Sequence, residues 1–273
     1  MPQWGKIYNH EGFEQKAGQV LLEFRLALDY NERVKPNTKE SGHLLLPRKG
    51  TMMKTTLYLI RHGEAAGNKN RTFQGRVDAP LTDHGRLQLK DLAERFRTVN
   101  FDEIYSSPLQ RAYETAQAVN TYHHKTIHLE PGIIELDGGQ WEGVHLSQLA
   151  QASPELMDAW INHLQDFQAP GGESFRQVYD RVRETIQRLI RENPGKTLVV
   201  VGHGCSIKTA LCYCKGLPLE QLQDMPWCDN TGVTKVEFDE QGHPTILYEN
   251  DSSHLSPQAK SIVLSRHLME EEP

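Results

Sequence analysis

Two histidines follow apolar runs that have the length and composition of buried strands. His62 comes after residues 57–60 and Arg61, and His203 comes after residues 198–201. Because ligands of open α/β sheets bind at the carboxyl ends of the strands, we expect both imidazoles at one edge of a sheet. A nucleophilic or acid–base histidine beside a permanently charged guanidinium suggests chemistry on a phosphate group.

Four further residues near these histidines are candidate ligands for that phosphate. Asn68 could donate a hydrogen bond to a phosphoryl oxygen, and Gln74 and Gly75 follow it in the same loop. Gly204 begins the segment that leads from the second histidine into a predicted helix. We interpret His203 as a cationic imidazole that could stabilise an equatorial phosphoryl oxygen in the transition state.

A basic residue stands where another helix is predicted to begin. Ser107 is the expected N-cap and Pro108 the first residue of this helix, which places Arg111 in its first turn. A cation is mismatched with the positive end of the helix dipole. The mismatch makes sense if an anion lies between the helix and the guanidinium; the alternative is a surface arginine that folds back into solvent.

A carboxylate in a glycine-rich loop is the candidate general acid and base. Glu135 comes directly after the apolar residues 133–134. A carboxyl group at such a place could perform both tasks. By position alone Asp137 and Glu142 are rivals, and each of the three could instead be a solvated loop charge.

Strands and helices alternate from Lys54 onward, which predicts a βαβ architecture. The predicted strands cover residues 55–60, 101–106 and 197–201, with a late hairpin or sheet-edge pair at 234–238 and 245–248. Besides the helix that follows Ser107, the predicted helices cover residues 82–98, 173–192 and 206–215. The expected fold class is α/β: a three-layer sandwich around a mostly parallel central sheet, with a helical cap segment over the site at about residues 144–170.

The first 53 residues differ from the rest of the chain. Apolar and charged residues mix between Val20 and Arg33, which could form a short amphipathic helix. A flexible extension, or upstream residues that the domain does not need, are the alternatives. We expect one folded domain at residues 54–255 and a C-terminal tail at residues 256–273.

Composition limits the class of protein. The chain has 273 residues and a formal net charge of −6, which argues against a general nucleic-acid binder. No apolar run approaches the ~20 residues that span a bilayer, and residues 1–16 lack a signal-peptide core, so we expect a cytoplasmic protein without membrane association. The four cysteines are expected to be buried or half-buried free thiols: Cys205, Cys212, Cys214 and Cys228.

Six ordered blocks resemble the histidine phosphatase superfamily, the group that includes the cofactor-dependent phosphoglycerate mutases. The blocks are residues 59–64, 78–85, 106–112, 135–143, 170–174 and 200–204. The resemblance implies that His62 attacks phosphorus and carries the phosphoryl group, while Glu135 serves as acid and then as base. It implies that other residues surround the phosphoryl oxygens: Arg61, Arg111 and His203, with Asn68, Gln74 and Gly75 near them.

The arginines and an imidazolium would supply the charge that phosphoryl transfer needs, so we expect no metal ion and no cofactor. The expected partner is a small phosphorylated substrate. The oligomeric state stays open, with a homodimer as one option. Arg76 departs from the family, which often has a tryptophan at this place.

The loop after the candidate acid favours a phosphatase over a mutase. Mutases of this family resemble one another in a longer, more basic insertion there, whereas Trp141 follows Glu135 quickly. The leading hypothesis is a metal-independent phosphomonoester hydrolase acting on a small phosphorylated metabolite. A phosphoglycerate mutase and a non-catalytic phospholigand-binding protein are the alternatives. Trp141, Trp160 and Phe167 could line an apolar pocket for the leaving group or pack in the core.

Overall fold

A computed structural model describes residues 53–260 of the chain. Its centre is a six-stranded sheet in the order β3-β2-β4-β1-β5-β6. The strands are β1 (Thr55–Arg61), β2 (Glu103–Ser106), β3 (Ile127–Leu129), β4 (Thr197–Gly202), β5 (Val233–Phe238) and β6 (Pro244–Asp251). Strands β1 to β4 pair in parallel, whereas β5 pairs antiparallel with both β1 and β6. The expected mostly parallel sheet is confirmed.

Helices cover both faces of this sheet. They are α1 (Ala66–Lys69), α2 (Asp83–Phe96), α3 (Gln110–Val119), α4 (Leu146–Ala152), α5 (Pro154–Asn162), α6 (Phe175–Glu192) and α7 (Gly204–Cys214). Because successive side chains of a strand point to opposite faces, β1 contributes Leu57 and Leu59 to the core beneath α6 and α7. Ile60 of the same strand joins the core beneath α2 and α3. The α/β sandwich is therefore three layers thick, as predicted.

Helices α4 and α5 lie in the segment that the sequence predicts as a helical cap. Leu146 of α4 and Trp160 of α5 reach the pocket described below. Most of the remaining apolar side chains of these two helices pack on the core beneath α6, including Leu149 and Met157. The cap is thus continuous with the core and forms one wall of the pocket.

The start of α3 differs from the expectation that Ser107 is its N-cap. The helix begins at Gln110, and the backbone of Leu109 before it is extended. The main-chain N–H of Gln110 donates to the Asp78 carboxylate at 2.7 Å, so a neighbouring loop caps this helix. The Ser107 hydroxyl instead lies 2.6 Å from Nε2 of His203.

Most other boundaries shift by two residues or fewer, and β6 ends three residues later than predicted, at Asp251. Strand β2 begins at Glu103, and α7 begins at Gly204. Helix α6 begins at Phe175 because Ser174 and Gln177 form a capping box. The short edge strand β3 has no counterpart among the predicted strands, since its half-exposed and exposed residues carry no buried alternation.

The described residues bear on some further expectations and leave others open. The N-terminal extension expected at residues 1–53 lies outside them except for Met53, and so do residues 261–273 of the expected tail. Within residues 53–260, no helix combines the length and the apolar character that crossing a membrane requires. All four cysteines are buried free thiols, as expected.

Candidate active site

A pocket opens where β1 and β4 end. Eight of the nine predicted site residues line it: Arg61, His62, Asn68, Gln74, Gly75, Arg111, Glu135 and Gly204. The ninth, His203, is fully buried beside it, and its ring centroid lies 5.1 Å from that of His62. Because β1 and β4 are parallel neighbours, their carboxyl ends bring residues 141 positions apart in the chain to one place.

His62 is held with one ring nitrogen free. Its Nδ1 atom lies 2.7 Å from the carbonyl oxygen of Gly63. A carbonyl oxygen only accepts, so Nδ1 carries the proton and Nε2 keeps its lone pair. Burial lowers the pKa of His62 well below its ordinary value, and the charges of Arg111 and Arg61 lower it further. The imidazole is therefore neutral, which is the form that a nucleophile needs.

Two guanidinium groups flank this imidazole. Arg111 is only 1% exposed and donates at 2.7 Å to the carbonyl oxygens of both Val77 and Gly75. Arg61 donates to the carbonyl oxygen of Cys228. Among the described residues, neither the buried Nε of Arg61 nor that of Arg111 has a hydrogen-bond partner. Buried donors are rarely left unpaired, so these two N–H groups point to an anion as their partner.

The second histidine is neutral rather than cationic in the free protein. Burial lowers the pKa of His203 well below its ordinary value, and the charge of Arg111 is the next cause. Burial and the charge of Arg111 thus favour the neutral ring in the unliganded site, whereas the interpretation of His203 as a cationic imidazole concerns the transition state and stays a prediction. Its Nε2 is engaged by Ser107, and its buried Nδ1 has no partner in the described part of the chain. A donor hydroxyl at Ser107 leaves the proton on Nδ1.

Glu135 is the carboxylate that reaches the pocket. Its Oε1 atom accepts from the main-chain N–H groups of Leu136 at 2.8 Å and Cys205 at 3.1 Å. Cys205 is the second residue of α7, so the carboxylate lies at the positive end of a helix dipole. The N–H of Cys205 also reaches Oε2 at 3.3 Å, so the helix N-terminus holds both carboxyl oxygens, and Oε2 lies 3.6 Å from the position that a Cβ on Gly204 would take.

The two rival carboxylates are engaged inside the loop. Asp137 pairs with Arg76 at 3.1 Å and accepts from the N–H of Gly139 at 2.9 Å. Glu142 accepts from the N–H groups of Arg76 at 2.7 Å and Gly138 at 3.0 Å. Neither lines the pocket. Tertiary contacts therefore select Glu135 from three candidates that position alone could not separate.

Asn68 and Gly75 also occupy useful positions. The Oδ1 atom of Asn68 accepts from the N–H of Ala65 at 3.0 Å, which leaves its amide N–H₂ group to donate. Gly75 adopts a φ of +48°, and this conformation delivers its carbonyl oxygen to Arg111. Gln74 lines the same wall, and its buried Oε1 has no partner among the described residues.

The expected aromatic wall is only partly confirmed. Trp160 lines the pocket, whereas Trp141 and Phe167 are buried in the core at 2% and 0% exposure. Phe73 and Trp227 complete the wall instead. Both residues lie outside helices and strands, so hydrophobic periodicity could not predict their burial or direction. The one sequence feature that could have identified them is an aromatic residue in an otherwise polar loop.

Comparison with known proteins agrees with this geometry. The family model of the histidine phosphatase superfamily (branch 1) matches residues 57–252. The chain is 31% identical over 199 residues to "Phosphoserine phosphatase 1" of Hydrogenobacter thermophilus, covering 73% of this chain and 93% of that protein. It is 33% identical over 202 residues to "Phosphoglycerate mutase-like protein 4" of Arabidopsis thaliana, covering 73% and 86%.

A solved structure is similar as well. YhfR of Bacillus stearothermophilus superposes with a TM-score of 0.71 at 34% identity, covering 74% of this chain and all of that one. The family match spans the strands, the pocket and the candidate acid. This protein therefore belongs to branch 1 of the histidine phosphatase superfamily.

Proposed function

We propose that this protein hydrolyses phosphomonoesters of small metabolites through a phosphohistidine at Nε2 of His62. One observation carries the proposal: a neutral buried imidazole with a free Nε2 lies between two guanidinium groups whose Nε–H donors are unpaired. Membership of the family, with a relative named as a phosphoserine phosphatase, supports phosphatase activity.

In the first step Nε2 of His62 attacks phosphorus, and the bond from phosphorus to the ester oxygen breaks. Glu135 in its protonated form gives its proton to that oxygen, so the alcohol leaves neutral. Arg61 and Arg111 stabilise the charge that spreads over the equatorial oxygens, and the N–H of His203 adds a further donor.

In the second step the Glu135 carboxylate takes a proton from a water molecule. The water oxygen attacks phosphorus, the nitrogen–phosphorus bond breaks, and phosphate leaves. His62 returns to its neutral form with the proton still on Nδ1. Each half of the reaction thus uses one carboxyl group, first as an acid and then as a base.

The compact acid loop supports hydrolysis over phosphoryl return to an acceptor. Between Glu135 and Trp141 the chain makes one short turn that begins at Gly139, and it carries no cation there. A mutase must hold its phosphorylated intermediate while it reorients, which calls for positive groups away from the nucleophile. Formation of 2-phosphoglycerate from 3-phosphoglycerate is therefore the result that would replace our proposal with a mutase.

The test uses para-nitrophenyl phosphate in EDTA with wild type, His62→Ala and Glu135→Gln. We expect turnover by wild type and a loss of about 10³-fold or more in His62→Ala. Because para-nitrophenolate leaves without a proton, Glu135→Gln should release one equivalent of it in a burst and accumulate an acid-labile phosphoenzyme. His163→Ala, at an exposed histidine, is the matched control and should behave as wild type. A folded wild type that releases no phosphate would favour the phospholigand-binding alternative.

A further inference from the structure

We propose that the pocket selects phosphomonoesters whose alcohol carries an uncharged aromatic ring and discriminates against alcohols that carry a carboxylate. The proposal rests on the hydrolytic function above and names its substrate class. It departs from what the name of the Hydrogenobacter relative says of that protein, because phosphoserine carries a carboxylate beside the phosphate.

Three neighbouring aromatic side chains form a wall of the pocket: Phe73, Trp160 and Trp227. The ring centroids of Trp160 and Trp227 lie 5.6 Å apart with planes inclined by 33°, and Phe73 lies 4.9 Å from Trp160 at 66°. Both tryptophans are half-buried, so part of each ring is open to the pocket. A planar apolar group would find stacked and edge-on partners here.

This wall begins beside the atom that would protonate the leaving oxygen. A Cβ built on Gly204 would lie 3.5 Å from Cζ3 of Trp227 and 3.6 Å from Oε2 of Glu135. The tryptophan edge and the carboxyl oxygen are thus both neighbours of Gly204. A leaving oxygen that bonds to Glu135 would therefore place its carbon group against Trp227.

Both permanent positive charges of the pocket lining act on the nucleophile. Of the residues that line the described pocket, the permanent cations are Arg61 and Arg111, and both act on His62. The other charged residues of the lining are Glu135 and Asp229, and both carboxylates act on Arg61 and raise its pKa. A second carboxylate, brought in on the alcohol, would lose its hydration without gaining a cation.

The nearby buried lysine does not change this balance. The Nζ atom of Lys208 lies 4.7 Å from the ring centroid of Trp227 and donates to the main-chain carbonyl of Met225. It does not line the pocket. Its ammonium group therefore interacts with the Trp227 ring and the Met225 carbonyl. The cation–π contact holds the tryptophan in place.

The test compares alkyl phosphates that have primary alcohols as leaving groups, so that their P–O bonds are of similar reactivity. The probes are 2-phenylethyl phosphate, which has a ring and no charge; phosphoethanolamine, which is small and cationic; and phosphoserine, which carries a carboxylate. We expect kcat/KM for 2-phenylethyl phosphate to exceed that for phosphoserine by about 10²-fold. Phosphoethanolamine should fall between them.

Two variants assign the preference to the wall. Trp160→Ala should lower kcat/KM about tenfold or more for 2-phenylethyl phosphate and by less than about threefold for phosphoethanolamine. Trp160→Phe keeps a ring and should retain most of the preference. The phosphoethanolamine rate also reports whether the variant is folded.

The outcomes separate the two proposals. Equal or faster hydrolysis of phosphoserine by wild type overturns the substrate class and leaves the hydrolytic function standing. A uniform loss in Trp160→Ala for all three esters also overturns it, because the ring would then serve structure alone. If the folded wild type hydrolyses none of the three esters, the proposed function itself is overturned.

Discussion

The guanidinium of Arg181 donates from Nη2 to the main-chain carbonyl oxygen of Glu135 at 3.0 Å. The same side chain donates to the carbonyl oxygens of Gly132 at 3.1 Å and Ile134 at 2.8 Å. It also reaches both carboxylate oxygens of Glu173 at 3.0 Å. One side chain of α6 therefore holds the loop that carries the candidate acid, although it does not itself line the pocket.

Replacing Arg181 should displace Glu135, the candidate acid. In Arg181→Met three carbonyl groups lose the Arg181 donor and Glu173 loses a partner, while Arg76 still reaches the Glu135 carbonyl at 3.4 Å. We expect about 2–4 kcal/mol of lost stability. A displaced Glu135 should lower kcat by roughly 10²-fold with little change in KM. Thermal unfolding and steady-state kinetics measure the two effects. On the same helix, Arg183 pairs with exposed Asp180, and Arg183→Met should change stability by less than about 0.5 kcal/mol.

The conformation of Gly75 should matter for the placement of Arg111. A Cβ at this position would lie 2.3 Å from Oε1 of Glu142, and the φ of +48° already disfavours other residues. We expect Gly75→Ala to lose about 1–3 kcal/mol of stability and to lower kcat/KM for every phosphomonoester. Gly143→Ala is the matched control, since Gly143 also has a positive φ of +75° but its Cβ would meet open space. Equal kinetic losses in both variants would argue against a role of Gly75 in the site.

His62 should remain neutral across the working pH range. Burial and two guanidinium groups lower its pKa well below the ordinary value, so protonation does not compete with nucleophilic attack near neutrality. We expect ¹⁵N spectra of labelled histidine to show a neutral ring with the proton on Nδ1 at about pH 6.5, where a free imidazole is about half protonated. His62→Ala identifies the resonance. A titration midpoint near pH 6.5 would contradict the burial argument.

The protein should lose stability as the pH falls below about 6.5. Burial and Arg95 lower the pKa of His254 to about 4, and its ring meets Arg95 at 3.0 Å and Thr231 at 3.3 Å. The unfolded chain therefore binds this proton before the folded protein does, and stability is lost between the ordinary pKa and about 4. His254→Gln keeps an acceptor for Arg95. It should make the loss of unfolding free energy between pH 7 and pH 4 smaller by roughly 1 kcal/mol, allowing for partial exposure of the ring. Unfolding in denaturant at several pH values measures this, and an unchanged slope would exclude His254 as a cause.

Local sequence patterns determined the larger part of the fold. The near-continuous apolar runs that become β1 and β4 are typical of strands covered on both faces, and both were predicted to within one residue. The helix predicted at residues 82–98 begins where Thr82 caps α2 through its hydroxyl. Residue type and order also brought His62 and His203 to one edge, because the carboxyl ends of parallel strands must meet there.

Only the tertiary structure decided which of the candidate groups line the pocket and which protonation state their surroundings favour. Glu135 was separated from Asp137 and Glu142 by contacts with Cys205 and Arg76, which lie far from them in the chain. The same holds for the neutral state of His203, which depends on burial and on Arg111. Protonation depends on the loss of hydration and on distances between charges, and both are set by neighbours in space. Local sequence periodicity does not reveal those neighbours. The sequence by itself therefore determined the family, the sheet and the list of reactive residues, whereas packing determined their protonation, their partners and the aromatic wall.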